Sequence, residues 1–132
     1  MGRTLELSRG LDAAKLRPAF ERFGRLHLPG IFGPEDAQAT RYRPGDFLTA
    51  HDDDVAGKHR LYAYVLNFTP AWRPDWGGLL AFHDADGHVS EAYTPTFNAL
   101  NIFRVPQQHA VTQVASFAGA QRLSITGWIR ER

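Results

Sequence analysis

The run His51-Asp52-Asp53-Asp54 sets an imidazole and a carboxylate two residues apart, and His109 offers a second imidazole much further along the chain. Imidazole nitrogens and ionised carboxylates are ligands for divalent metals. On a strand, residues two apart share a face, so His51 and Asp53 can reach one ion while Asp52 and Asp54 point away. Two imidazoles and one carboxylate on one face of an octahedral ion leave three positions open. That set suits Fe(II) in oxygen-using enzymes, where a chelating co-substrate and O2 both need free sites. Zinc also accepts two histidines and an aspartate, so ligand type alone leaves the metal open. Asp52 and Asp54 compete for the carboxylate position, and an acidic run like this one is often only a solvated loop. His59 lies in an exposed-looking Gly-Lys-His-Arg run, and His83 and His88 flank a turn, so these read as surface residues, with His27 also spare.

The elements that must position these groups are short strands. Thr40–Arg43, Phe47–His51, Leu61–Phe68, Leu79–His83, Val89–Tyr93, Ala99–Phe103, Ala110–Ser116 and Arg122–Ile129 are each bounded by turn residues. Pro44-Gly45-Asp46 and Asp84-Ala85-Asp86-Gly87 read as turns, and Gly119 marks the turn before the last strand. Eight strands at this spacing predict a mainly β fold, a sandwich or barrel for which the jelly roll is the eight-stranded option. In that frame the His-x-Asp pair ends the second strand, His109 opens the seventh and Arg122 opens the eighth. This order raises the metal reading above the solvated-loop reading. Residues 67–78, with Trp72 and Trp76, form the longest loop, which either helps cover a ligand pocket or plugs one end of the core. Before the strands, Leu11, Ala14, Leu16 and Phe20 have roughly helical spacing, weakened by Pro18 and ended by Gly24.

Composition narrows the class. With 132 residues, 43% apolar and 22% charged, the chain suits one hydrophobic core. A net charge of +1 gives no reason to expect nucleic acid or an anionic membrane as partner. The absence of cysteine excludes disulfides, thiolate metal sites and cysteine nucleophiles. No apolar run is long enough to span a bilayer, and the first ten residues lack the apolar stretch of a secretory signal, so the expected location is the cytoplasm.

Several segments together resemble the prolyl-4-hydroxylase-like branch of the 2-oxoglutarate and Fe(II)-dependent oxygenases. They are Arg41-Tyr42-Arg43-Pro44-Gly45-Asp46-Phe47, His51-Asp52-Asp53, Tyr64-Val65-Leu66-Asn67, Trp76-Gly77-Gly78-Leu79-Leu80, His109 and Arg122-Leu123-Ser124-Ile125-Thr126-Gly127-Trp128. The resemblance implies a double-stranded β-helix, a cupin-like jelly-roll barrel, over residues 39–132. Residues 1–38 would then form a shortened support region with a short helical segment. It implies that His51, Asp53 and His109 hold Fe(II) and that Arg122 pairs with the far carboxylate of 2-oxoglutarate. A guanidinium fork matches a carboxylate in two-point contact. Ser124, on the same strand face as Arg122, could donate a second bond. Tyr42, nine residues before His51, matches a tyrosine near the co-substrate, against the plainer reading of a barrel-wall aromatic. Tyr64 is a further candidate for that pocket. Asn67 and Trp128 match structural signature residues.

The implied reaction is hydroxylation of an unactivated C–H bond with 2-oxoglutarate and O2 as co-substrates and ascorbate as reductant. A prolyl residue in a peptide or protein is the nearest match, and a small-molecule substrate on the same scaffold is the alternative. The rival from another class is a metal-binding cupin-like protein without oxygenase activity. Such sites usually use more histidines and do not require the arginine on the last strand. The sequence departs from the family in two places. Where some relatives carry a further tyrosine contacting the carboxylate, the match falls on Val65. Only Gly33–Gln38 separates the leading strand at Leu26–Phe32 from the Tyr42 strand, where relatives carry several helices. Either this is a naturally minimal form or part of the chain is not in this sequence; if the helices are missing, the outer sheet is expected to expose apolar surface, with a homodimer or low stability as the consequence.

Overall fold

The computed structural model describes residues 37–130, together with the backbone of residues 4–5. The expected helix at Leu11–Phe20 and the expected strand at Leu26–Phe32 lie outside the described residues. Among the described residues nine strands form: β1 Thr4–Leu5, β2 Ala37–Tyr42, β3 Leu48–His51, β4 Arg60–Asn67, β5 Leu80–His83, β6 Val89–Tyr93, β7 Leu100–Arg104, β8 His109–Val111 and β9 Arg122–Arg130. All eight expected strands are present. The major sheet runs β9-β4-β7, with β1 and β2 both paired to β9, and the minor sheet runs β3-β8-β5-β6. Every pairing is antiparallel except the short one between β1 and β9. The sheets meet through edge-to-face rings, Phe82 on Phe103 at 5.0 Å and Phe103 on His109 at 4.6 Å. This is the expected jelly-roll barrel.

Turn chemistry sets the strand ends. Asp46 accepts the Arg43 N–H through its carboxylate and donates its own N–H back to the Arg43 carbonyl, closing the turn before β3. Asp84 accepts the N–H groups of Asp86 and His88 and so fixes the β5–β6 hairpin. The seventh expected strand, Ala110–Ser116, is shorter than the sequence suggests: regular pairing stops at Val111. There the Thr112 hydroxyl takes the Leu79 N–H, and Val114 keeps one isolated bridge, to Gly77.

Strand register separates an inner from an outer face of the major sheet. Ala63 and Val65 on β4 lie opposite Trp128 and Thr126 on β9, on the face that carries Arg122. Tyr64 lies opposite Gly127 and Ile102, on the other face. On that face Leu100 and Ile102 are 54% and 56% exposed, whereas Tyr64 is buried.

The tryptophan loop plugs one end of the barrel. Trp72 donates its indole N–H to the Gly77 carbonyl and meets Trp76 edge to face at 5.3 Å. A Cβ on Gly78 would lie 3.1 Å from Trp72 and 3.2 Å from Arg122, so the loop closes directly behind that guanidinium. Gly77 and Gly78 both have left-handed backbone, with φ of 65° and 62°.

These contacts separate two glycine substitutions by size. A Cβ at Gly77 would sit 2.1 Å from the Gln113 carbonyl oxygen, whereas at Gly45, where φ is 93°, it meets nothing within 4 Å. Gly45→Ala should therefore cost about 1 kcal/mol, from backbone strain alone, and Gly77→Ala about 3 kcal/mol or more. Urea unfolding midpoints at constant m-value check the difference.

Candidate metal and co-substrate site

Antiparallel pairing of β3 with β8 puts His51 directly opposite His109, and their ring centroids are 4.2 Å apart. A bulge between Leu48 and His51 makes this possible. Strict alternation would send residues three apart to opposite faces, yet Leu48 and His51 both line the same cavity. Each imidazole Nδ1 lies on a carbonyl oxygen two residues back, Thr49 for His51 at 2.8 Å and Gln107 for His109 at 2.7 Å. A carbonyl only accepts, so both Nδ1 atoms carry the proton, and in the neutral rings both Nε2 lone pairs are free to bind a metal.

Asp53 completes the cluster. Its Oδ1 is 3.3 Å from His51 Nε2 and its Oδ2 is 3.4 Å from His109 Nε2. Adjacent ligands on an octahedral ion with bonds of about 2.1 Å stand about 3 Å apart, so these separations fit one shared metal with little movement. Asp53 does not reach this place by strand alternation, as the spacing suggested. β3 ends at His51, and Asp53 lies beyond it with a left-handed φ of 65°. Asp52 caps the Asp54 N–H with its carboxylate and does not join the cluster. Among the described residues, His59, His83 and His88 also stand outside it.

The electrostatics suit a cation. Burial opposes the Asp53 charge, but the His51 hydrogen bond, the Trp128 indole and the two imidazoles hold its carboxyl below the usual range. The Asp53 hydrogen bond raises the His51 pKa, against the opposing effect of burial. His109, almost fully buried, is held below the ordinary histidine value by desolvation, which keeps its ring neutral.

The three ligand candidates open onto a cavity of about 210 Å³ walled by Leu48, Ala63, Val65, Leu80, Phe103 and Val111. Tyr42 and Arg122 share that cavity and face each other across the β2–β9 ladder. Arg122 is 1% exposed. Its Nε donates to the Gly78 carbonyl at 2.8 Å, one Nη donates to Ser124 Oγ at 3.0 Å, and its guanidinium carbon lies 5.3 Å from the centre of the Tyr42 ring. Among the described residues no carboxylate pairs with it. Burial raises the pKa of the Tyr42 phenol despite the nearby guanidinium, so it remains a hydrogen-bond donor at neutral pH.

Two of the sequence-based site residues are placed otherwise than expected. Ser124 is buried beneath Arg122, bonded to it and to Thr40 Oγ1 at 2.6 Å, and it is not on the cavity wall. Its hydroxyl accepts from the guanidinium and so helps to hold it in place. Tyr64 borders the cavity, but by register it belongs to the opposite face of the sheet from Arg122. The inward position is that of Val65. Conversely, Trp128, which the resemblance gives as a structural signature residue, lines the cavity, with a buried indole N–H that acts on the Asp53 carboxylate. Its even-numbered place on β9, in step with Arg122 and Thr126, was the available signal.

Comparison with known proteins agrees with this arrangement. Residues 37–130 match the family model described as the 2OG-Fe(II) oxygenase superfamily. The mouse prolyl 3-hydroxylase OGFOD1 is 35% identical over 100 residues, which cover 70% of this chain but only 18% of that protein. A Pseudomonas putida prolyl-4-hydroxylase superposes with a TM-score of 0.63 at 30% identity, over 91% of this chain and 62% of the other. A Trichoplax adhaerens prolyl hydroxylase shares the fold with a TM-score of 0.58 at 24% identity, over 96% and 60% of the two chains. The chain thus spans about a fifth of the mouse relative's length and somewhat under two-thirds of the solved ones. By its matched sequence and its fold, the protein belongs to the 2OG-Fe(II) oxygenase superfamily.

Proposed function

We propose that this chain is the catalytic core of a dioxygenase that hydroxylates a prolyl residue in a peptide or protein. The family uses Fe(II), 2-oxoglutarate and O2. The observation that carries the reading is the buried Arg122 guanidinium, which no carboxylate among the described residues pairs with and which shares a cavity with the His51–Asp53–His109 cluster. A buried cation of this kind calls for an anion to pair with it. A dicarboxylate answers that demand at one end and offers a second acidic end to a metal at the other.

In this reading His51 Nε2, His109 Nε2 and one Asp53 oxygen hold Fe(II). The bound metal supplies the O2 activation that couples decarboxylation of 2-oxoglutarate to succinate with hydroxylation of substrate. Arg122 receives the far carboxylate in two-point contact, and the Tyr42 hydroxyl donates to the co-substrate. The apolar wall keeps water from the reacting centre. A polypeptide is favoured over a small molecule by an open groove of about 440 Å³ along Phe82, Tyr93, Leu100, Ile102 and Gln107. The groove shares Phe103 with the metal cavity, so an extended chain lying in it passes beside His109. The named prolyl hydroxylases among the relatives support the same substrate class.

Purified protein supplied with Fe(II), ascorbate and 2-oxoglutarate should form succinate, and proline-containing peptides should gain the mass of one oxygen. Absence of both succinate and 2-oxoglutarate binding refutes the reading, and oxygen gain only on free small molecules replaces the peptide with the alternative substrate class. Arg122→Gln should weaken 2-oxoglutarate binding about 30-fold or more, the scale of a truncated buried charge pair, and leave Co(II) affinity within about twofold. Asp53→Ala should abolish measurable Co(II) binding by calorimetry, whereas Asp54→Ala, outside the cluster, should bind cobalt as the wild type does.

A further inference from the structure

Asp53 adopts a backbone conformation that L residues rarely take, and something must hold it there. Left-handed φ outside glycine costs on the order of 1–3 kcal/mol and persists where the surroundings over-determine it. The contact present is Arg60, whose Nη1 donates to the Asp53 carbonyl oxygen at 3.0 Å. Arg60 opens β4 and Asp53 follows β3, so this bond ties together the two ends of the loop between those strands.

Arg60 is itself fixed from a second direction. Its guanidinium carbon lies 3.7 Å from the centre of the Trp128 ring. Trp128 pairs with Ala63 on the inner face of the major sheet and lines the metal cavity. Strict alternation would put Arg60, three residues before Ala63, on the outer face. A bulge between Arg60 and Tyr62 turns it inward onto the indole. The guanidinium Nε is buried there without a partner, so hydrogen-bond satisfaction alone does not account for the placement.

We propose that Arg60 is the positioning residue of the metal centre: braced over the Trp128 ring, it locks the Asp53 backbone in the left-handed conformation that aims the carboxylate at both imidazoles. The inference rests on Asp53 being a metal ligand and assigns its orientation to a residue outside the cluster. A flat guanidinium can stack on an indole and donate in its own plane at once, which an ammonium cannot do.

The test is Co(II) affinity and the cobalt ligand-field spectrum of Arg60→Met, Arg60→Gln and Arg60→Lys, each beside its metal-free urea unfolding curve. Arg60→Met should bind Co(II) about 10- to 100-fold more weakly, the usual effect of removing a partner that orients a ligand. Its cobalt spectrum should change while the metal-free protein stays folded, and Arg60→Lys should recover only part of the affinity. Arg60→Gln serves in its place if Arg60→Met does not fold. Wild-type affinity and spectrum in the folded variants overturn the inference but leave Asp53 as a ligand, provided that Asp53→Ala has lost the metal. Failure of the wild type to bind Co(II) overturns both.

Discussion

The guanidinium of Arg122 is the charge around which the barrel is arranged. Taking such an ion out of water costs several kcal/mol even after relaxation, and no carboxylate among the described residues returns that cost. The fold offsets part of it with polar groups that cannot neutralise the charge. The Gly78 carbonyl and the Ser124 hydroxyl accept two of its hydrogen bonds, and the Tyr42 ring lies within reach of its cation. Neutral acceptors orient the fork and leave its remaining donors and its full charge available. A carboxylate from the chain itself would stabilise the fold more and leave nothing for a co-substrate to bind.

That arrangement explains the tryptophan loop and its paired glycines. For its carbonyl to reach Arg122 Nε, Gly78 must pass so close to Trp72, Val114 and the Arg122 side chain that no Cβ fits comfortably. Gly77 must come nearer still to the Gln113 carbonyl to pair with Val114. The tryptophans then fill the end of the barrel behind the guanidinium. Water is kept from one side of the charge, and the cavity opens on the other.

Much of this was legible in the sequence, because turns and strand alternation are written locally. The eight expected strands, the Asp46 and Asp84 turns and the placing of Arg122 at the head of the last strand all follow from residue types and spacing. What was not legible depends on pairing between distant strands. The register of β4 against β9 decides that Val65 faces inward and Tyr64 outward. Ser124 shares the inward parity of Arg122 but is covered by it, a matter of depth that alternation does not encode. The early end of β8 coincides with the Thr112 hydroxyl meeting the backbone N–H of Leu79, just ahead of β5. The His-x-Asp pair was identified by strand geometry, yet the observed geometry is that of a left-handed turn, so a sound pairing followed from the wrong local conformation.

The metal cluster sits at a corner where strand regularity fails repeatedly, and three of those departures shape the site. A regular strand presents one face at even spacings only, so Leu48 with His51, or Arg60 with Ala63, could not share a face without a bulge. Between the two bulges the chain turns left-handed at Asp53. Each departure breaks ladder hydrogen bonds or strains the backbone, and each turns one side chain of the site inward: an imidazole, a carboxylate, and the guanidinium that braces it. His109, which lies in regular pairing, needs no such help and is the most buried of the three ligand candidates. Irregular backbone is therefore concentrated where a three-ligand cluster demands directions that a pleated strand does not offer, and the regular strands around it hold those directions fixed.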